Sequence, residues 1–100
     1  MDQPDKIVIT EGSTPEAIAA VCDGIKALLL RKNAKYGDSA LNPSRVFSKA
    51  SPVEQLLVRI DDKLSRIHTC GYEGDGEEDT LDDLIGYLVL LKVALIKDRR

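Results

Sequence analysis

The chain has 100 residues and a formal net charge of −3, which sets a single small domain and argues against bulk nucleic-acid or anionic-membrane binding. Hydrophobic residues are 43% of it, but three Tyr, one Phe and no Trp leave the core to Leu, Ile, Val and Ala. Two cysteines, Cys22 and Cys70, are too few for a disulfide framework and point to a reducing, cytoplasmic setting.

Residues 1–12 read as an arm. Met1–Asp5 is acidic and Ile7–Thr10 is too short an apolar run for a signal peptide. The β-branched run within Lys6–Thr10 has extended character, either as a tail or as a segment that pairs with another subunit. Residues 13–100 then form one helical domain.

The first predicted helix spans about 14–33. Ser13-Thr-Pro-Glu16 matches a capping box with Pro15 in the first turn, where its missing N–H costs nothing. Ile18, Val21, Cys22, Ile25, Leu28 and Leu29 recur at helical spacing and define a buried stripe, with Cys22 as a small core residue. From Lys32 to Ala50 the pattern stops, and connections of this length often carry function. Gly37 can supply a positive φ at the turn, and Phe47 is expected to pin the loop onto the core.

The second helix is expected over about 51–68, again opened by a capping-box pattern, Ser51-Pro-Val-Glu54. Val53, Leu56, Leu57, Ile60, Leu64 and Ile67 make its apolar stripe, flanked by a basic line of Arg59, Lys63 and Arg66. That line is either a solvated flank or an anion-facing edge. A Gly-rich acidic connection follows. His68 and Cys70 have no second ligand pair for zinc, and the acidic run lacks the ligand order of a calcium loop.

The third helix, about 79–98, is apolar nearly all round. Leu81, Leu84, Ile85, Leu88, Leu91 and Leu95 form the main stripe, expected to be core, while Leu90, Val93 and Ala94 cover the other side. Three helices cannot surround it, so a homo-oligomer completing a helical bundle is expected. Asp82, Asp83 and Lys92 exclude a membrane span. Asp79 and Asp83 project from one face about one turn apart, toward the side holding Gly86 and Leu90.

Two carboxylates on one helical face, joined by Asp61 or Asp62 from the second helix, have the oxygen donors that Mg²⁺ takes. Lys32, Lys35, Lys63 and Arg66 would neutralise a polyphosphate, with Tyr36 or Tyr87 against a base or ribose. No Ser/His/Asp or Cys/His set and no phosphate loop of the Gly-x-x-x-x-Gly-Lys type is present.

Taken together, Lys32-Asn-Ala-Lys-Tyr-Gly37, Arg59-Ile-Asp-Asp-Lys-Leu-Ser-Arg66 and Asp79-Thr-Leu-Asp-Asp83-Leu-Ile-Gly-Tyr87 resemble the small phage MazG-like proteins. These are the nucleotide-modification-associated group of the all-α NTP pyrophosphatase superfamily. The similarity spans roughly residues 14–97. It implies a helical oligomer with Mg²⁺-dependent cleavage of a (d)NTP to monophosphate and pyrophosphate. Asp83 would be the metal-binding acid, with Asp79 a turn before it and Asp61 or Asp62 completing the catalytic set. Lys32, Lys35, Tyr36, Gly37, Arg59, Lys63, Arg66 and Tyr87 would face the nucleotide. Where the characterised enzymes carry Glu-x-x-Glu, however, this chain has Arg59-Ile-Asp-Asp-Lys-Leu, whose adjacent acids cannot share one helical face. Two other expectations therefore stand beside hydrolysis: a non-catalytic binder that sequesters a nucleotide signal of host immunity for a phage, and a helical protein-interaction adaptor.

Overall fold

The computed structural model describes residues 7, 12–73 and 79–98. Among them are three helices, α1 (Thr14–Tyr36), α2 (Pro52–Cys70) and α3 (Thr80–Asp98), and no strand. The all-α, three-helix expectation holds. The expected arm lies outside the described residues, apart from Gly12 and from Ile7, whose side chain packs against α1 at Gly24.

Each helix begins where its local chemistry allows. Ser13 Oγ accepts from the Glu16 amide at 3.3 Å, and the Glu16 carboxylate takes the Ser13 amide at 3.3 Å and its hydroxyl at 2.9 Å. Those bonds to Ser13 favour the ionised acid and hold the Glu16 carboxyl below its ordinary range. Ser51 caps α2 by accepting from the Glu54 amide at 3.1 Å. Asp79 does the same for α3, accepting from the Asp82 amide at 3.0 Å. Removing a cap of this kind costs about 1 kcal/mol.

α1 runs three residues past its expected end at 33, because nothing before Gly37 breaks it. Gly37 sits at φ +62° and Asp38 follows at +63°, so two left-handed residues in succession turn the chain sharply. The Asp38 carboxylate accepts from Asn33 Nδ2 at 2.9 Å and Asn42 Nδ2 at 2.6 Å, which ties the turn back to the helix. Lys35 and Tyr36 therefore ride the last helical turn instead of a loop.

α3 folds back along α2 to make an antiparallel hairpin, packs more narrowly on α1, and separates α1 from α2. Leu56 and Thr80 are the most deeply buried side chains, joined by Ile25, Leu28, Ile60 and Ala94. Several expectations about the core are corrected. Phe47 does not pin its loop: it is 95% exposed, beside an exposed Val46. Cys22, Ile18, Leu57 and Leu64 are exposed as well. On α3 the covered side is shifted. Gly86 and Ala94 are buried, while of the expected core stripe Leu81, Leu88 and Leu95 face outward and Leu84, Ile85 and Leu91 are half-buried. No helix is long and apolar enough to cross a membrane, among the described residues.

Candidate functional site

The shift on α3 has a simple cause. Gly86 lets α1 come close, and a Cβ built there would meet Leu29 Cδ2 at 3.1 Å. Leu29 is followed along α1 by Lys32, Asn33 and Tyr36 at spacings of three, four and seven, so the same face that touches Gly86 carries polar groups toward the helix end. The helices diverge there and leave a cleft of about 450 Å³. Its floor is apolar, from Leu28, Leu29, Gly86 and Leu90. Lys32, Tyr36, Arg59, Asp82, Asp83 and Tyr87 bring polar atoms to it, and the Asp38–Ala40 turn closes one end.

Asp83 is the electrostatic centre. Its Oδ1 lies 3.5 Å from Lys32 Nζ of α1 and its Oδ2 lies 3.3 Å from Lys63 Nζ of α2. One carboxylate thus ties all three helices together. Lys63 is only 8% exposed, so it belongs to the centre of the α2 stripe and not to the basic flank where spacing had placed it. It falls three residues after Ile60 and four before Ile67, in phase with both. Two cation–ring contacts border the site. Arg59 stands 5.9 Å from the centre of the Tyr87 ring, and Lys35 lies 5.3 Å from that of Tyr36.

Asp82 also lines the cleft, although the sequence reading used it only as a charge against a membrane span. Its pKa is pushed up to about 6, first by partial burial, then by the charge of Asp79 and a hydrogen bond with it, and last by Asp83. The available signal was its position beside Asp83 in a run of acids at the mouth of a glycine-bearing helix.

The remaining candidate residues separate. Gly37 serves as the α1 C-cap, and Asp79 is the α3 cap. Asp61 is exposed on α2. Asp62 pairs with Arg66 at 3.1 Å along the same helix, so this acid and this base are engaged away from the cleft. The expected metal set, Asp79 and Asp83 with Asp61 or Asp62, is not brought together. Among the described residues no group of three acids, histidines or cysteines could hold a metal ion, and both Asp83 oxygens face lysines. A single chain's donor set does not fit Mg²⁺, and no reaction step is derived through it.

No family model matches this chain, and no curated protein or solved structure is significantly similar to it.

Proposed function

We propose that this protein binds a nucleotide in the α1–α3 cleft without hydrolysing it. The carrying observation is that Lys32 and Arg59, from two helices, line a cleft also bordered by Tyr36 and Tyr87, while the lining carboxylate of Asp83 is paired with Lys32 and with the buried Lys63. The volume suits a small ligand, since such sites span roughly 300–1,000 Å³. An apolar floor with cations at its rim matches a molecule that is aromatic at one end and anionic at the other. Lys32 and Arg59 would take the phosphate, and a Tyr ring would take the base by stacking. The motif resemblance to MazG-like proteins supports the same ligand class. The engagement of Asp62 by Arg66, and of Asp83 by two lysines, favours binding over turnover.

The test is to titrate the purified chain with a panel of (d)NTPs and cyclic and linear oligonucleotide messengers, with and without Mg²⁺, by calorimetry and by mass spectrometry of the recovered ligand. Saturable binding with the ligand recovered intact supports the proposal. No binding by any member would sink it, and release of pyrophosphate would restore the pyrophosphohydrolase reading.

A further inference from the structure

The arm meets α1 at one described point, and the fit there is close. Ile7 is half-buried and packs on α1 at Gly24. A Cβ built on Gly24 would lie 2.6 Å from Ile7 Cγ1, 2.9 Å from its Cδ1 and 3.2 Å from its Cγ2. Those three carbons are all of the side chain beyond its own Cβ. A β-branched side chain is stiff and has little rotamer freedom with which to clear them. Only glycine at position 24 lets Ile7 sit where it does. Alanine would strengthen the helix there on propensity alone, so without this contact the glycine is a cost.

We infer that Ile7 is a positioning residue for the cleft, seated in the Gly24 notch to fix the roll of α1 about its own axis. The inference rests on the cleft being the binding site proposed above. α1 meets the other helices only narrowly, along α3, and one narrow seam does little to resist rotation. At about 100° per residue, Gly24 and Leu29 stand about 140° apart around α1, with Val21, Ile25 and Leu28 between them. Gly86 of α3 meets the Leu29 flank, and Ile7 meets the Gly24 flank. α1 is thus held from both sides of its covered stripe, where Ile25 and Leu28 are buried. Lys32 and Tyr36 fall within the same arc one and two turns further along. Their aim into the cleft, and the 3.5 Å approach of Lys32 Nζ to Asp83, depend on the roll that the two contacts set. Ile7 does not line the cleft, so its effect passes through α1.

A double-mutant cycle on the full chain tests this, read without ligand by amide hydrogen exchange in all three helices. Ile7→Ala and Gly24→Ala are each expected to speed exchange over Leu29–Tyr36 about fivefold and to leave α2 and α3 unchanged. Gly24→Ala added to Ile7→Ala should speed it no further, because the carbons that the new Cβ would strike are gone. Ile7→Val keeps the branch at Cβ and should keep most of the protection. In calorimetry with the tightest-binding (d)NTP of the panel, Ile7→Ala should weaken binding at least about threefold, and Ile7→Val should bind as the wild type does. Unchanged exchange or unchanged affinity in Ile7→Ala overturns the inference, as does equal acceleration in all three helices. So does an equal increment from Gly24→Ala in both backgrounds. A wild type that binds no nucleotide sinks the function proposed above, while the exchange pattern still supports or overturns the hold of Ile7 on α1.

Discussion

The two seams that α3 makes are built on different principles. Against α2 it closes a small apolar core around Leu56, Ile60 and Ala94. Against α1 it offers a glycine, then a carboxylate held between two lysines, and then an open cleft. Stability alone would not choose the second arrangement. A partly exposed ion pair contributes about 0–1 kcal/mol, and burying an ammonium works against folding unless a counter-charge is kept beside it. The α2 seam holds the chain together; the α1 seam spends part of that stability on a prearranged set of charges. The difference supports the proposed cleft on the α1 side more than any single residue does.

The largest effect should come from closing that distinction by force. Gly86→Leu would drive a branched side chain into Leu29 and prise α1 from α3. We expect a loss of about 3 kcal/mol in urea unfolding, the upper range for overpacking, and loss of ligand binding. Gly86→Ala should be near neutral, since its gain of up to about 1 kcal/mol in helix propensity offsets a contact that the flexible end of Leu29 can relieve. Equal effects from the two variants would mean that α1 does not rest on this glycine.

Next is Asp83→Ala, which removes the one carboxylate shared by Lys32 and Lys63. Breaking a fully buried pair costs about 3–5 kcal/mol, and partial exposure here lowers the expectation to about 2 kcal/mol. Lys63→Met should be far less costly, because it removes the buried charge and keeps the packing volume. If Lys63→Met proves as damaging as Asp83→Ala, the lysine is needed for the fold and not only for a ligand.

These expectations also mark how far the sequence was legible. Helix number, the caps at Ser13 and Ser51 and the left-handed Gly37 follow from local chemistry, which acts within a few residues and leaves a readable pattern. The phase of α3 does not. A helix apolar on nearly every side carries no periodic signal for which side is covered, and here a glycine, not the leucine stripe, marked the approach of α1. Lys63 was misplaced by one flank because a charged residue is assumed to avoid the stripe, an assumption that fails once Asp83 supplies a partner from another helix. Phe47 was misjudged in the opposite sense: being the only Phe says nothing about whether a surface lies within reach. Asp82 became informative only when the closure of α1 over Gly86 put it in a partly buried position.

A smaller effect belongs to the ligand. Lys32→Ala and Arg59→Ala should each weaken nucleotide binding about tenfold, the value of one charge-assisted contact of about 1.4 kcal/mol, with melting temperatures little changed. Lys35→Ala, whose side chain stacks on Tyr36 outside the cleft, should bind as the wild type does. Equal loss in all three would reduce the cleft to general electrostatic attraction.

The smallest effect is the most diagnostic of the α1 seam. Asp82 has a folded pKa of about 6 against an ordinary 3.8. The folded chain therefore binds this proton more tightly than the unfolded chain does. Between those two values stability falls as pH rises, and above about 6 the whole penalty is present. Asp82→Asn removes it. Because the group is partly exposed, solvent screening cuts the expected gain to about 1 kcal/mol at pH 7. Near pH 4 the variant and the wild type should unfold at the same urea concentration. Nucleotide affinity carries the same signature, since wild-type binding of an anion should tighten as pH drops through 6 while that of Asp82→Asn stays flat. A stability difference independent of pH would mean that the closure of α1 does not desolvate Asp82. The polar seam would then be an ordinary surface, and its contrast with the α2 seam would disappear.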